Sequence, residues 1–457
     1  MKIVIAGAGV IGGSVAEALA EEGHDLTVID CDPAIVMHTS NSLDVSCVEG
    51  NAADPELLRE AGAAEADLVV AATEKDEVNM VCGIIARKMG AGHVIARIRD
   101  PLYLSQTKFL WEALGLSQIV NPEYECARQI SRILRFPSAA RVVTFSKGSL
   151  EIVEHRIAEG TALCGLRISD MGKRFRANVL VALIDRAGQS LIPNGDTVLC
   201  AGDRLSITGA SSDLRRFFIE IGEYRRPVRR VMIMGGSTTS VYLTRLLQEN
   251  SIDVTIVERD RRRCEQLCDL VPEAHVVCGD ATHSDVLLED GILTADAFVS
   301  LTGDDGDNII TSLYARSCNV GKVVTKINRE HFADVLSDSG LDSIVSPKEL
   351  VAQQLARYAR ALGNSAGSIV ETLYRVSDGK IEILEFGVEE DAACVRIPLR
   401  DLKLRDNVLV AALIRGNKSI RPDGDTRILP GDHAVIVTAH RLRTLDDMLE
   451  EKPLTIG

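Results

Sequence analysis

Gly7-Ala8-Gly9-Val10-Ile11-Gly12 directly follows the apolar run Ile3-Val4-Ile5. A Gly-x-Gly-x-x-Gly segment between a strand and a helix is a phosphate-binding arrangement. Gly7 permits the tight turn, Gly9 lets the backbone approach a pyrophosphate, and Gly12 lets helix and strand pack closely. The helix adds N–H donors and the positive end of its dipole. Asp30 closes the next apolar run, 18 residues beyond Gly12. A carboxylate there accepts from ribose hydroxyls and repels a 2′-phosphate, which favours NAD(H) or an adenine nucleotide over NADP. Asp32 stands before Pro33 and reads as a helix start instead.

Three more candidates fall just past strand-like runs, where ligands of open α/β sheets bind. Asn51-Ala52 could frame an adenine, and Thr73-Glu74 could touch ribose or phosphate. Arg97 has two readings, a bidentate phosphate donor or, like Arg99, one half of a surface salt bridge. Residues for covalent chemistry are missing. No tyrosine is followed four residues later by lysine, and neither a Gly-x-Ser-x-Gly elbow nor a Gly-Lys-[Ser/Thr] loop occurs. None of the histidines has a recognisable catalytic setting, so no catalytic residue is assigned.

The elements that must hold these residues are short apolar runs at 3–6, 26–30, 67–71 and 93–96, separated by helix-like stretches such as Ser14 to Ala20 and Val78 to Met89. Apolar strands alternating with helices predict a parallel sheet covered on both faces. Asn121-Pro122 opens a further helix reaching about Arg135, before Phe136-Pro137. A different texture follows: alternating strands around Leu150-Glu151-Ile152-Val153-Glu154, a Pro-x-Gly-Asp turn, and a short helix from Asp213 to Ile221. That is a smaller α+β lobe.

The chain then repeats. Asn178-Val179-Leu180-Val181-Ala182 returns as Asn407-Val408-Leu409-Val410-Ala411, and Pro193-Asn194-Gly195-Asp196-Thr197 as Pro422-Asp423-Gly424-Asp425-Thr426, each 229 positions later. Gly202-Asp203 returns as Gly431-Asp432 at the same interval, as Gly50, Thr73, Asn79 and Arg97 do as Gly279, Thr302, Asn308 and Lys326. Gly7 and Asp30 match Gly235 and Glu258 at 228. The fold expected is α/β and internally duplicated: two Rossmann-type parallel-sheet lobes (1–121 and 229–346), each followed by a small α+β lobe (141–224 and 366–450). Gly222 to Arg230 reads as a solvated linker.

The second copy keeps Glu258, Asp280, Thr302 and Lys326 at the matching ligand positions. Its turn, Gly235-Gly236-Ser237-Thr238-Thr239-Ser240, retains only the first glycine of the fingerprint. Serines at the other two positions are expected to crowd the pyrophosphate and to loosen helix–strand packing. A second site there is expected to be weaker or differently selective. Ser346-Pro347-Lys348-Glu349 is a capping-box sequence that opens the counterpart of the Pro122 helix.

Composition narrows the classes. A net charge of −15 over 457 residues argues against nucleic acid and against direct docking on an anionic membrane. No apolar run approaches the ~18 residues of a membrane span, and Met1-Lys2 leads into a strand without a signal-peptide pattern. The expected setting is the cytosol. The eleven cysteines read as buried small hydrophobes. Cys264, Cys268, His275, Cys278 and His283 lack the tight paired spacing of structural zinc, so no metal is assigned.

Taken in order, these residues resemble the RCK (also called KTN) proteins that regulate potassium channels and transporters. The N-lobe resemblance runs through Met1 to Gly9, Asp30, Gly50-Asn51-Ala52, Thr73 to Asn79 and Ala96-Arg97-Ile98-Arg99. That of the small lobe runs through Asn178 to Thr197 and Gly202-Asp203. The resemblance implies a non-enzymatic, ring-forming subunit that binds NAD(H) or ATP/ADP and changes shape beneath a membrane-embedded, potassium-translocating partner. Two RCK units per chain imply four chains per eight-unit ring, peripheral at the inner face of the membrane. The helices after Pro122 and Pro347, with Ile130, Ile133, Leu134 and Leu350, Leu355, Leu362, are expected to swap between neighbouring lobes, so the protein should not be monomeric. Two other readings stay open: a nucleotide sensor of another cation channel or antiporter, and an NAD-dependent oxidoreductase, which the missing acid–base residues disfavour.

Overall fold

Strands that are apolar in succession must be covered on both faces. Ile3 to Ala6, Leu68 to Ala71 and Val94 to Ala96 are each buried without interruption. The computed structural model describes residues 1–104, 114–145, 149–223, 227–328, 341, 343–363, 370–376, 380–416 and 418–450. The first lobe runs β1 (Lys2–Ala6), α1 (Val10–Glu21), β2 (Asp25–Asp30), α2 (Pro33–Ser42), β3 (Ser46–Glu49), α3 (Pro55–Glu60), β4 (Leu68–Ala71), α4 (Asp76–Met89), β5 (His93–Arg97), α5 (Pro101–Leu104), β6 (Gln118–Val120) and α6 (Pro122–Arg135). Its strands lie parallel in the order β3-β2-β1-β4-β5-β6. The order reverses between β1 and β4, which leaves a crevice at their carboxyl ends. The sixth strand was not expected; three residues are too few to show a period. Helix α6 begins as anticipated, with Asn121 Oδ1 accepting from the Tyr124 N–H at 2.7 Å, and it ends before Phe136-Pro137.

The small lobe follows: β7 (Arg141–Phe145), β8 (Leu150–Arg156), α7 (Ile168–Arg174), β9 (Leu180–Arg186), β10 (Gln189–Leu191), β11 (Arg204–Gly209) and α8 (Ser211–Glu220). Its antiparallel order is β10-β9-β11-β8-β7. The sequence of β8 alternates apolar and acidic residues. The structure buries Glu151 as well as Val153 and His155. The ring of His155 meets Phe218 of α8 edge-on, so this sheet too is covered on both sides.

The second copy repeats the first: β12 (Arg230–Met234), α9 (Thr238–Gln248), β13 (Asp253–Glu258), α10 (Arg261–Leu270), β14 (His275–Cys278), α11 (Ser284–Glu289), β15 (Ala297–Ser300), α12 (Asp305–Ser317), β16 (Lys322–Lys326), β17 (Ile344–Val345) and α13 (Pro347–Gly363). After these come β18 (Val370–Val376), β19 (Ile381–Gly387), β20 (Val408–Arg415), β21 (Lys418–Ile420) and β22 (His433–Thr438). The two sheets are ordered β14-β13-β12-β15-β16-β17 and β18-β19-β22-β20-β21. Part of the Gly222 to Arg230 stretch, residues 224–226, lies outside the described residues. Arg230 already belongs to β12.

The chain does not divide at its repeat. One unit holds Met1–Ser131 with Arg229–Ala359, and the other Arg132–Val228 with Arg360–Gly457. Like pairs with like. In the second unit, one apolar core joins Phe145, Ile152 and Leu183 of the first small lobe to Ile383, Ile414 and Val437 of the second.

The repeated Gly-Asp motif has a structural cause in that unit. Asp203, 1% exposed, receives two parallel bonds of 2.7 Å from Arg186 and another from the Cys200 N–H at 2.8 Å. Asp432 receives the same set from Arg415 and the Leu429 N–H. Burial alone would raise the Asp203 carboxyl, but its bonds from Arg186 and Cys200 hold it below the usual range. A lowered folded pKa gives stability that is complete above about pH 4 and lost as pH falls through the folded value. Asp203→Asn is therefore expected to cost roughly 2 kcal/mol at pH 7, below the usual loss for a broken buried pair because Arg186 reaches solvent. In thermal melts, the gap from wild type should narrow between pH 5 and pH 3.

Candidate functional site

Gly7 turns the chain at φ +95°, and its N–H donates to Ile29 O at 2.7 Å. A Cβ there would lie 2.8 Å from the Thr73 backbone, and one at Gly12 would lie 1.8 Å from Gly7 O. Both glycines are steric requirements of the turn. Gly9 differs: a Cβ there would meet nothing within 4 Å, so it faces open space at the start of α1. No side chain caps that helix end. Its leading N–H groups stay available to an anion.

Asp30 is fixed beside this turn. Its Oδ2 accepts from the Ala8 N–H at 2.6 Å and its Oδ1 from the Asp32 N–H at 2.9 Å. Each oxygen retains acceptor capacity. Asp32 itself caps α2 through the Ala34 N–H. Asn51 is held next to Asp30 by the Gly50 N–H bond to Asp30 O, 2.8 Å. Its own Oδ1 accepts from Ala53 N. Val10 is exposed, whereas Ala8, Ile11 and Ala52 are buried. Those three can offer a ligand only backbone.

Thr73 and Arg97 are brought together by Asn79, whose role the sequence reading missed. Asn79 is wholly buried. Its Oδ1 accepts from Thr73 N (2.8 Å) and Thr73 Oγ1 (2.7 Å), and its Nδ2 donates to Thr73 O (3.1 Å) and Arg97 O (2.9 Å). The available signal was its exact recurrence as Asn308. Arg97 is neither a surface residue nor fully paired. Its side chain is 13% exposed, with a single 3.5 Å contact to Glu123. Burial pulls the guanidinium below its ordinary range, while Glu123 acts the other way. Arg99 fits the ion-pair reading. It bonds Asp76 Oδ1 at 3.3 Å and the carbonyl of Glu74. The Glu74 side chain is exposed.

The second copy reproduces this frame. Gly235 has φ +94°, and Glu258 accepts from Gly236 N (2.6 Å) and Asp260 N (2.8 Å). Asn308 bonds Thr302 N, Thr302 Oγ1, Thr302 O and Lys326 O. Asp280 closes a turn on Thr282, whose hydroxyl and N–H hold the carboxyl below the usual range.

The serines behave differently from expectation. Ser240 is wholly buried, and its hydroxyl donates to Gly235 O at 2.5 Å, so a hydrogen bond stands where the first copy has the bare Gly12 contact. Ser237 caps α9 by accepting from Ser240 N at 3.3 Å, which claims a donor left open in the first copy. Thr238 is half-buried and Thr239 buried. Arg263, which has no basic counterpart in the first copy, donates from Nε to Gly236 O at 2.6 Å.

The expected helix exchange occurs inside one chain. Tyr358 of α13 meets His93 of the first lobe, with OH to Nδ1 at 3.1 Å. Tyr124 of α6 packs edge-on against Tyr242 of α9, whose hydroxyl donates to Arg99 O at 2.8 Å. These helix faces are buried without a second chain, so they do not by themselves require an oligomer. The cysteines also depart from expectation. Cys82, Cys126, Cys264 and Cys394 are buried, but Cys31, Cys164, Cys200, Cys268 and Cys278 are exposed. Burial, with Cys278 alongside, pushes the Cys264 thiol up to about 12. Among the described residues no three His, Cys, Asp or Glu side chains are grouped as metal ligands. Nor, among those residues, is any helix long and apolar enough to cross a membrane.

Two parallel-sheet lobes with Gly-rich turns and two antiparallel lobes, paired like with like, define a tandem RCK-type fold. The RCK domain of GsuK superposes with a TM-score of 0.62 at 20% identity, covering 95% of this chain and 92% of that one. The GsuK channel bound to NAD gives 0.61 at 20% identity, over 96% of this chain and 76% of the other. The TrkA-N domain family matches residues 3–122 and 231–347, and the TrkA-C domain family 152–222 and 383–449. The Trk system potassium uptake protein TrkA homolog of Archaeoglobus fulgidus is 32% identical over 437 residues, 95% of this chain and 97% of the relative. The TrkA protein of Vibrio alginolyticus is 30% identical over 445 residues, 96% of each. The chain belongs to the TrkA family of Trk-system potassium uptake proteins.

Asn79→Ala removes four bonds and strands Thr73 N, Thr73 O and Arg97 O in the interior. A loss of about 2–4 kcal/mol is expected, measured by denaturant unfolding. In hydrogen exchange, the ends of β4 and β5 should lose protection before the rest of the sheet.

Proposed function

We propose that this chain is a cytoplasmic, nucleotide-binding regulatory subunit of a potassium uptake system, without catalysis of its own. The observation that carries this is the uncapped start of α1 over Gly9, with the Asp30 carboxylate held beside it. A nucleotide would lay its pyrophosphate on the N–H groups of Gly9, Val10 and Ile11 and its ribose on Asp30. Its adenine would lie by Asn51 and Ala52, with Thr73, Glu74 and Arg97 toward the far phosphates. NAD(H) is the first candidate and ATP or ADP the second. Support for the ligand class comes from the GsuK structures, one described as bound to NAD and another as bound to ADP.

The functional units are the nucleotide lobes 1–121 and 229–346 and the small lobes 141–224 and 366–450. The second site, lined by Gly235, Gly236, Ser237, Thr238, Thr239, Glu258, Asp280, Thr302 and Lys326, binds more weakly, because a phosphate must displace the Ser237 hydroxyl from the helix start. Four chains form a homo-oligomeric ring beneath a membrane-embedded transporter of the TrkH or TrkG type. The net charge of −15 disfavours nucleic acid as a partner. Regulation follows if the nucleotide binds one ring shape better than the other, since differential affinity sets the shift in the equilibrium.

Because each compact unit takes residues from both halves, the test uses the intact chain. Calorimetry with NADH, ATP and ADP should resolve two unequal sites. Asp30→Ala is expected to weaken the tighter one at least tenfold, about 1.4 kcal/mol, and Glu258→Ala the weaker one. Ser237→Gly should strengthen the weaker one. Unchanged affinities in all three variants would defeat the site assignment.

The assembly reading has its own measurement. Light scattering at micromolar concentration is expected to give a mass near four chains. Tagged protein should retain a co-expressed Trk-type membrane subunit through purification, and a single-chain mass with no retained partner would reject the ring.

A further inference from the structure

Arg97 and Glu123 face each other at the carboxyl edge of the first parallel sheet without satisfying one another. Their only contact is Nη2 to Oε1 at 3.5 Å. Arg97 Nε and Glu123 Oε2 are buried, with no hydrogen-bond partner among the described residues. Arg97 Nη1 reaches Thr73 O only at 3.5 Å. A guanidinium and a carboxylate free to adjust make two short parallel bonds, as Arg360 and Glu382 do in this chain at 3.0 and 2.7 Å. The Arg97 backbone cannot adjust, because its carbonyl is tied to Asn79. Glu123 belongs to the first turn of α6, directly after Pro122. The pair is therefore a cation held at the site with a fork partly unfilled, and an acid that holds it loosely. The second copy has Lys326 and Lys348 at these positions, so no acid stands opposite Lys326 from the equivalent place.

We propose that Glu123 is a built-in competitor for nucleotide phosphate at the first site: a phosphate that reaches the end of β5 takes the Arg97 fork and displaces Glu123, releasing the first turn of α6. The ligand class is a nucleotide with a phosphate chain; a nucleoside cannot make the exchange. This rests on the nucleotide reading above and adds its readout, since occupancy becomes a change in a helix that begins in one compact unit and ends in the other. Binding is weakened by the energy of breaking the pair, and that same energy couples ligand to helix.

The experiment is calorimetry on the intact chain with ATP and with adenosine, for wild type, Glu123→Gln and Arg97→Ala, with Arg97→Lys in reserve should the alanine variant not fold. Glu123→Gln is expected to bind ATP three- to tenfold more tightly, with adenosine unchanged. Arg97→Ala should bind ATP at least tenfold more weakly, again with adenosine unchanged, and adding Glu123→Gln to it should restore nothing. Hydrogen exchange supplies a second readout: ATP should deprotect amides 123–128 in wild type, and Glu123→Gln should show that exchange without ligand. If Glu123→Gln leaves ATP affinity unchanged or lowers it while Arg97→Ala weakens binding, the competitor role is overturned and the nucleotide site stands. If wild type binds neither ATP nor adenosine, the nucleotide reading falls and takes the competitor with it.

Discussion

Asn79 has four hydrogen-bonding positions, and all four are filled by Thr73 and Arg97. The residue is wholly buried, so no water can substitute for a lost partner. An open parallel sheet leaves the backbone groups beyond its strand ends without ladder partners. In this fold those ends are also the walls of the crevice. The asparagine solves both problems at once, pairing the groups past β4 and fixing the distance between β4 and β5. The Gly7 turn is then positioned against Thr73, where there is no room for a Cβ, and Asp30 is positioned against the turn through Ala8 N. Remove the clamp, and the crevice loses the reference from which its other walls are placed.

Much of this was legible in the sequence because it is local. The place of Asp30 at the end of β2, the helix start at Asp32-Pro33 and the Asn121-Pro122 cap each depend on a few neighbouring residues, and each stands where it was read. The parallel sheet covered on both faces followed from the apolar runs alternating with helices, while its strand order did not. Illegible were the things decided across distance. Glu151 breaks the expected alternation of β8 because a helix covers its other face. Ser240 reads as a residue that loosens the helix–strand contact, whereas its hydroxyl bonds Gly235 O across the turn. Arg97 reads equally as ligand or ion pair, and the structure leaves it between the two, since Glu123 arrives from a helix 26 positions on and at an awkward distance.

The duplication is informative through what it does not preserve. Clamp, turn and acid recur with nearly the same bonds in both copies, since each satisfies backbone groups that any version of the fold must satisfy. The rest of the lining recurs only in type or not at all: Ser237 stands for Gly9 and Lys326 for Arg97. Side chains that face a ligand are free to diverge once the frame is secured by groups that cannot.

The pairing of like lobes within one chain gives that divergence consequences. Tyr242, on the helix that starts at the second Gly-rich turn, donates to the carbonyl of Arg99, two residues past Arg97. Asn121, which caps α6, donates to the same tyrosine at 3.3 Å and to the same carbonyl at 3.1 Å. Burial raises the Tyr242 hydroxyl above its ordinary range, so it remains a neutral donor across the accessible pH range. The end of β5, the start of α6 and the first turns of α9 therefore share one buried node. A displacement at any of them strains the bonds it shares with the other two. The two Gly-rich turns are joined in this way: the helix that Ser237 caps carries Tyr242, and Tyr242 is bonded to the carbonyl of Arg99 just past the strand end that carries Arg97.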